Sequence, residues 1–130
     1  VYGPGQIRKG SMATVIGIFE EQFKKNKPLT VVRPGSQSRR FTHISDTVNV
    51  CYEAWYKKKS AHYSISNKKA YSILDVAKMF NTKIVMLKPR AGERYASALT
   101  NISNNRKIIN KYGRIDLKDY VTSFIKGKKL

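Results

Sequence analysis

The sequence predicts a single domain of mixed α/β (α+β) structure, and three observations lead to this prediction. Stretches with apolar residues at helical spacing alternate with short strand-like runs. The 130 residues are enough for one domain but not for two, and no internal repeat or low-complexity segment divides them. A hydrophobic fraction of 41% can fill a small core, which argues against a disordered chain.

The first third of the chain predicts a helix followed by two strands. Ser11 can cap a helix whose apolar residues follow at helical spacing, and this helix should end before Pro28. Residues 29–33 indicate a short strand, residues 34–36 a turn, and residues 40–44 a second strand.

A second helix is predicted to begin at Asp46, a favourable capping residue, and to end at the lysine run 57–59. Val48, Cys51 and Trp55 share one apolar face of this helix. We expect Cys51 to be a small buried side chain and not a nucleophile, because no histidine lies near it in sequence.

The middle of the chain predicts a strand, a helix and another strand. Residues 63–66 indicate the first strand, and Ser72 with Asp75 forms the pattern of a capping box before the helix. Residues 83–87 indicate the second strand, which leads into the loop 88–93.

Two short helices are predicted to close the chain. The first covers residues 103–112 and ends at Gly113; the second covers residues 116–126 and ends at Gly127. Glycine commonly ends helices because it adopts the left-handed conformation without steric cost.

The charge of the chain points toward phosphate-bearing partners. Twenty-six Lys and Arg residues against eight Asp and Glu residues give a net charge of +18. The excess is spread along the chain, and its densest runs lie where helices should end. Because no RNP-like strand, zinc-finger spacing or heptad-linked basic region is present, we expect only non-specific, salt-sensitive binding to nucleic acid. A basic, non-enzymatic nucleic-acid-binding module remains the alternative interpretation.

Several classes of site are excluded by the residues present. A single cysteine and two histidines cannot form an internal disulfide or a usual zinc site. Ser45, His43 and Asp46 could suggest a triad, but neighbours on a strand point to opposite faces and no nucleophile elbow exists. No apolar run is long enough to span a bilayer, and no signal peptide is recognisable, so we expect a cytoplasmic protein.

Two arginine-bearing loops are the strongest candidates for a binding site. Arg39 follows a Gly-Ser-Gln turn, while Arg90 and Glu93 flank Gly92. An arginine fork matches a phosphate at two points, and a carboxylate can accept hydrogen bonds from sugar hydroxyls. If the loops converge, they form a site for a molecule that carries both phosphate and ribose, and the start of the first helix can add backbone N–H donors. The alternative is that these residues are solvated loop charges.

Five segments occur in an order and spacing typical of one protein family. They are Tyr-Gly-Pro-Gly-Gln at 2–6, Lys-Pro-Leu-Thr-Val-Val at 27–32, Gln-Ser-Arg-Arg-Phe-Thr-His-Ile-Ser-Asp at 37–46, Tyr-Ser-Ile at 71–73 and Pro-Arg-Ala-Gly-Glu at 89–93. Over nearly its whole length the chain resembles the carboxyl-terminal part of NAD-dependent sugar-nucleotide epimerases and dehydratases. These are extended short-chain dehydrogenases/reductases, the group that includes UDP-glucose 4-epimerase.

The resemblance implies a site for a nucleotide sugar, UDP- or dTDP-linked. Arg39 and Arg90 would hold the phosphates, and Glu93 would fix the ribose. Thr30 and Val32 would lie beside the base.

The resemblance also implies that the start of the first helix, around Ala13 and Thr14, faces the diphosphate. One departure is Asn101, where the family often has aspartate; we expect it to cost a local hydrogen bond and not the fold.

The larger departure concerns the cofactor and the catalytic base. The turn 3–5 has no third glycine at the offset that a dinucleotide site requires, and none of the eight tyrosines is followed by lysine four positions later. The resemblance therefore implies that residues 1–130 are one substrate-binding domain that lacks most of the Rossmann domain. We expect a fragment that is inactive alone, has no catalytic residue and holds no cofactor itself, NAD belonging to the parent enzyme.

A further expectation concerns assembly. In the family, the strand that corresponds to residues 63–66 pairs within the large sheet of the cofactor domain. Without that sheet its edge would be uncovered, and exposed strand edges recruit other chains. We therefore predict a homo-oligomer formed through this strand.

Overall fold

Helices and short strands alternate along the chain in a computed structural model, which describes residues 1–58, 60–92 and 106–128. The elements, in chain order, are α1 (Val15–Lys24), β1 (Leu29–Val32), β2 (Ser38–Arg39), α2 (Ile44–Tyr56), β3 (His62–Ser66), β4 (Tyr71–Ser72), α3 (Ile73–Met79), β5 (Ile84–Leu87), β6 (Ile108–Tyr112) and α4 (Leu117–Lys128). The predicted mixed α/β fold is confirmed.

The strands of the described segments form three two-stranded sheets. β1 and β5 are parallel, with Leu29 opposite Ile84 and Val32 opposite Leu87. β2 pairs with β4 in antiparallel orientation. β3 and β6 are again parallel and place Ser66 opposite Tyr112. Parallel strands cannot be joined by a tight turn, so the chain between β1 and β5, and between β3 and β6, crosses from one end of the strand pair to the other.

The core lies where α1, α3 and α4 pack around β1. Rings from α1, from the C-cap of α3 and from α4 meet there: the ring centroid of Phe80 lies 6.0 Å from that of Phe19 and 6.2 Å from that of Phe124. The fully buried apolar residues are Tyr2, Ile16, Phe19, Leu29, Val31, Val76, Ala77, Phe80, Leu117 and Val121. Burial of these large side chains is the main stabilising contribution to the fold.

Local capping patterns were predicted with mixed success. The capping box of Ser72 and Asp75 is confirmed, with both reciprocal hydrogen bonds present at the start of α3. The predicted start of α1 at Ser11 is wrong, because Thr14 is the N-cap and its side chain accepts a hydrogen bond from the backbone N–H of Gly17.

The predicted strand at residues 40–44 and the Asp46 cap of the second helix are also wrong. The strand is limited to β2, and His43 caps α2 by accepting the backbone N–H of Ser45 on Nδ1 at 3.1 Å. Oδ2 of Asp46 instead accepts the backbone N–H groups of Arg114 and Ile115, at 3.0 and 3.1 Å. A long-range contact therefore occupies the carboxylate that the local pattern assigned to the cap.

The apolar face predicted for the second helix does not lie in the core. Cys51 is exposed, and Val48 and Trp55 are 55% and 73% exposed. The expectation that Cys51 is buried is wrong, because the core draws its helices from α1, α3 and α4.

The predicted helix at residues 103–112 is wrong over its described part. Residues 108–112 form β6, which pairs in parallel with β3 over five positions. The Ile-Ile-Asn-Lys-Tyr stretch suits either structure by periodicity, and tertiary pairing decides for the strand. Residues 103–105 lie outside the described residues.

The other two expectations for this end of the chain have mixed outcomes. The last helix is confirmed as α4, although it continues through Gly127 instead of ending there. The strand predicted to be uncovered is β3, and β6 covers one of its edges.

Among the described residues, no helix is both long and apolar enough to cross a membrane.

Candidate functional site

A cavity of about 230 Å³ opens beside the carboxyl ends of β1 and β5. The ends of parallel strands are where α/β folds usually bind ligands. Its walls come from α1, β1, the turn after β1, the start of α3, and β5 with the loop after it. The lining residues are Val15, Ile18, Phe19, Thr30, Val31, Val32, Gln37, Ile73, Leu87 and Arg90.

Three of the predicted site residues line this one cavity. Thr30 and Val32 come from β1, and Arg90 comes from the loop after β5. The parallel register explains their meeting, because Val32 lies opposite Leu87 and the chain then continues to Arg90 three residues later. Arg90 is exposed, which leaves its guanidinium at the rim of the cavity.

The backbone and hydroxyl of Thr30 are held by a side chain of α1. The Thr30 N–H donates to Oε1 of Gln22 at 3.1 Å, and its hydroxyl accepts from Nε2 of Gln22 at 2.8 Å. This pair fixes the edge of β1 that does not face β5. Gln22 was missed from the sequence because a glutamine within a helix carries no pattern that indicates a strand partner.

Thr14 and Ala13 lie next to the cavity wall but do not form it. The Thr14 hydroxyl accepts from Gly17 N at 3.0 Å and donates to Oε1 of Gln6 at 2.9 Å. Val15, the first residue of α1, is the one that lines the cavity. The helix start thus lies beside the cavity, with its N-cap at Thr14, three positions after Ser11. The role of Ala13 and Thr14 toward a diphosphate stays a prediction.

Arg39 is placed on β2, opposite Tyr71 of β4, and is not one of the lining residues. Its Nη1 donates to the carbonyl oxygen of Ser38 at 2.8 Å. Gln37, two residues earlier, does line the cavity. The convergence of Arg39 with Arg90 on one diphosphate stays a prediction. Glu93 lies outside the described residues, so its role toward a ribose is also still a prediction.

Gln37 was not identified from the sequence as a lining residue. It follows a glycine and a serine in a turn, which is typical of an exposed position. In the structure it is only 8% exposed. Hydrogen bonds from Ile73 N to the Gln37 carbonyl oxygen and from Leu74 N to the Gly35 carbonyl oxygen fold this turn against α3.

Three tyrosines of the described segments carry phenols with a pKa above the ordinary value. Burial, together with the nearby charge of Asp116, raises the pKa of Tyr2. Burial and a hydrogen bond to Asp116 raise the pKa of Tyr71 to about 12. Burial and a hydrogen bond to Glu20 raise the pKa of Tyr120. A phenol that acts as a general base needs the opposite shift, so these three stay protonated at neutral pH.

The glycine turn at residues 3–5 does not fit a dinucleotide. A Cβ at Gly3 would overlap the side chain of Ile44, so α2 covers this face of the turn. The first helix begins only at Val15, and not directly after the glycines as a pyrophosphate-binding turn requires. The turn 3–5 therefore does not form a cradle for the pyrophosphate of a dinucleotide.

The family to which this fold belongs is identified by its sequence. The model of the NAD-dependent epimerase/dehydratase family matches residues 1–67, which include α1, β1, β2, α2 and β3. The chain belongs to this family. Thr30, Val32 and Arg39 lie within the matched part, and Arg90 lies beyond it.

A curated relative supports the assignment to the epimerase/dehydratase family. ADP-L-glycero-D-manno-heptose-6-epimerase of Fusobacterium nucleatum is 31% identical over 85 residues, which are 59% of this chain and 26% of the relative. The chain thus matches about a quarter of that protein's length.

Three solved structures, two of them of epimerases, share the fold. Pal from Bacillus thuringiensis has a TM-score of 0.75 at 21% identity, covering 98% of this chain and 42% of that protein. UDP-glucose 4-epimerase from Thermotoga maritima, solved with UDP-glucose, has a TM-score of 0.72 at 18% identity, covering 96% and 42%. UDP-glucuronic acid 4-epimerase from Bacillus cereus, solved with UDP-glucuronic acid and NAD, has a TM-score of 0.69 at 24% identity, covering 93% and 42%. This member of the epimerase/dehydratase family spans less than half of each of these structures.

Proposed function

We propose that this chain is the substrate-binding portion of an NAD-dependent epimerase/dehydratase and that its cavity holds the nucleotide of a nucleotide sugar. The observation that carries the proposal is that Thr30, Val32 and Arg90, from β1 and from the loop after β5, line one cavity. An apolar cleft with a guanidinium at its rim suits a base bound inside and a phosphate bound at the entrance.

Each residue of the proposed site then binds a different part of the nucleotide. Val32 and the carbon atoms of Thr30 contact the base, while Arg90 binds a phosphate oxygen. Arg39 and Glu93 complete the site, with Arg39 on the second phosphate and Glu93 on the ribose. Ala13 and Thr14 position the start of α1 near the diphosphate, where the helix dipole favours negative charge.

The proposed contribution to catalysis is positioning. Holding the diphosphate and base orients the attached sugar toward groups that this chain does not supply. Oxidation and return of a hydride require NAD and a tyrosine of lowered pKa, and we assign both to the remainder of the whole protein. We therefore expect the 130-residue chain to bind nucleotide sugars weakly and to catalyse no epimerisation or dehydration.

Titration calorimetry with UDP-glucose tests this function. We expect wild-type protein to bind, and Arg90→Ala to bind about tenfold to a hundredfold more weakly, because a charge-assisted hydrogen bond is lost. Lys88→Ala is the matched control: it removes the same charge two positions away, from a residue that does not line the cavity. Equal losses in both variants would show general attraction to charge and contradict the proposed site.

A second candidate function is favoured by the net charge of +18. A nucleic-acid-binding module would bind duplex DNA with a steep dependence on salt and would not respond to UDP-glucose. Binding of UDP-glucose that survives at a salt concentration that removes DNA binding supports the nucleotide-sugar site. The reverse pattern supports the nucleic-acid module.

We also propose that a second copy of the chain assembles with the first through β3. In the part of the chain that the structure describes, β3 pairs only with β6, so its other edge is left without a strand. Such an edge presents backbone donors and acceptors to another strand.

A further inference from the structure

The second half of α2 exposes three aromatic side chains that do not contribute to the core. Tyr52, Trp55 and Tyr56 are 61%, 73% and 71% exposed. The Tyr52 ring is stacked with that of Tyr56 at 6.2 Å and tilted against that of Trp55 at 5.8 Å between centroids. Because clustered apolar groups on a protein surface mark binding sites, these three rings form a candidate platform for a ligand.

Three neighbouring cavities extend from the platform across the surface to β6. The first, of about 620 Å³, is lined by Trp55 and Lys58. The second, of about 500 Å³, begins at Tyr52, and it shares Tyr112 and Arg114 with the third, of about 440 Å³. We call this continuous surface the α2–β6 groove. None of the described residues that line it also lines the cavity of the proposed nucleotide-sugar site.

The groove carries more positive than negative side chains. Five cationic side chains line it against three carboxylates. Two of the carboxylates pair with lysines of the groove, Glu53 with Lys111 at 2.8 Å and Asp116 with Lys69 at 2.6 Å. The third, that of Asp46, accepts hydrogen bonds from backbone N–H groups. The acidic groups are thus already engaged within the protein.

The remaining cations of the groove lie close to its aromatic rings. Lys58, Lys68 and Arg114 form no ion pair within the segments that the structure describes. Lys58 lines the same cavity as Trp55, and Nζ of Lys68 lies 4.8 Å from the ring centroid of Tyr112. The groove therefore offers exposed rings beside cations that a negatively charged ligand can neutralise.

This combination selects the chemistry of the ligand. Cations attract any polyanion, whereas exposed rings add binding only for a ligand with flat faces. The faces of the bases in a duplex are covered by neighbouring bases, so the platform cannot reach them. In a single strand the bases can stack on aromatic side chains while the phosphates lie against lysine and arginine. A lipid surface would contact the platform but would not enter the cavities beside β6.

We propose that the α2–β6 groove binds single-stranded nucleic acid without preference for base sequence. Bases stack on the platform, and the phosphates between them bind Lys58, Arg114 and Lys68. Sequence is not read, because every base presents a flat face. The inference goes beyond the proposed function, since it assigns a different ligand to a separate surface.

The first test uses Trp55, the single tryptophan of the chain, as a direct reporter of the platform. The 130-residue chain is titrated with an oligothymidylate of about twelve nucleotides, a length typical of single-strand sites. We expect stacking to quench the tryptophan fluorescence. An abasic strand of equal length keeps the phosphates without the bases, and we expect it to bind about tenfold more weakly and to leave the fluorescence unchanged. Saturated binding without quenching, or equal affinity for the abasic strand, overturns the inference.

The second test compares the single strand with a duplex. The same oligothymidylate is annealed to oligoadenylate, and binding is measured by fluorescence anisotropy at about 0.2 M salt, where attraction by charge alone is weak. We expect the single strand to bind at least about tenfold more tightly. Binding of the duplex with equal or higher affinity overturns the assignment to a single strand.

The third test changes the groove. Trp55→Ala should weaken binding of oligothymidylate about tenfold, while Trp55→Phe, which keeps a ring, should retain most of it. Lys68→Ala should reduce the salt dependence by about one phosphate contact. Lys78→Ala removes the same charge outside the three cavities and should not. Circular dichroism checks folding, and equal effects of both lysine variants contradict the groove.

Other ligands for the platform give different results. If the protein binds no oligonucleotide but Trp55→Ala abolishes self-association, the platform is an interface between copies. If it binds only vesicles that contain phosphatidylserine, the platform is a lipid-binding surface. Either result overturns the inference. Binding of UDP-glucose that depends on Arg90 is independent of these outcomes, and Trp55→Ala should not change it.

Discussion

The hydroxyl of Tyr120 donates a hydrogen bond of 2.6 Å to Oε1 of Glu20 and so joins α4 to α1 across 100 positions of the sequence. Glu20 is fully buried, and its carboxylate also accepts from Nε2 of Gln6 at 3.0 Å and from Nε of Arg8 at 2.9 Å. A buried carboxylate persists only when donors surround it. This cluster fixes the amino-terminal loop and the helix whose first residue, Val15, lines the cavity.

Removing the Tyr120 hydroxyl should destabilise the fold. Tyr120→Phe leaves the ring contacts in place but takes one donor from a buried carboxylate, at a cost of about 1–3 kcal/mol. The free energy of unfolding by urea measures this loss. Tyr52→Phe, at a residue that is 61% exposed, is the control and should leave the stability unchanged. Similar stabilities for wild type and Tyr120→Phe would show that the hydrogen bond contributes little.

The two candidate caps of the first helix make opposite predictions. Thr14→Ala removes the acceptor for Gly17 N, and we expect a loss of about 0.5–2 kcal/mol in the free energy of unfolding. Ser11→Ala, at the cap expected from the sequence, should change it by less than about 0.5 kcal/mol because that residue is exposed and precedes the helix. A larger loss from Ser11→Ala than from Thr14→Ala would restore the earlier helix start.

Acid should weaken the contact between α2 and β6. Hydrogen bonds from Lys111 and Lys57 lower the pKa of Glu53 from 4.5 to about 2. Because the folded pKa lies below the unfolded value, this carboxylate stabilises the fold above about pH 4.5 and loses its effect as the pH falls toward 2.

The test compares the pH dependence of the melting temperature in two proteins. Wild type should lose more stability than Glu53→Gln between pH 5 and about pH 2, since glutamine does not titrate in this window. Parallel curves for the two proteins would mean that the contact adds no pH dependence. The contribution of a pair this exposed should also fall with added salt.

Cys51 should react as a free thiol in the folded protein. It is exposed on α2 and is the single cysteine of the chain. We expect an aromatic disulfide reagent to modify one thiol per chain without denaturant, at a rate close to that in urea. Protection of the thiol until the protein unfolds would show that this face of α2 is covered in solution.

Assembly through β3 should depend on concentration. Light scattering coupled to size-exclusion chromatography is expected to show a shift from monomer to dimer as the protein concentration rises. Ile65→Pro removes a backbone donor from the edge of β3 that faces away from β6, because the bond from Gly113 N to the Ser66 carbonyl oxygen points Ser66 and Ser64 toward β6. It should weaken self-association, with Ser60→Pro outside the strand as the control. Circular dichroism must show that both variants fold. A monomer throughout a wide concentration range contradicts the assembly.

The sequence by itself determined those features that depend on neighbours within a few residues. The capping box of Ser72 and Asp75 and the strand β1 are set by hydrogen bonds or alternation over three or four positions, so their patterns are legible in the chain. The order of the family's segments also indicated that Thr30, Val32 and Arg90 belong to one site. These three residues line one cavity, and their role toward a nucleotide stays a prediction.

Only the tertiary structure decided the features that depend on distant partners. β6 is a strand because it pairs with β3. Asp46 does not cap α2 because its carboxylate accepts a hydrogen bond from the backbone N–H of Arg114. Gln37 is buried because α3 folds its turn inward. In each case a long-range contact decided the structure against the local pattern. The free energy gained from packing and hydrogen bonding across the fold is at least as large as that from local propensity or capping.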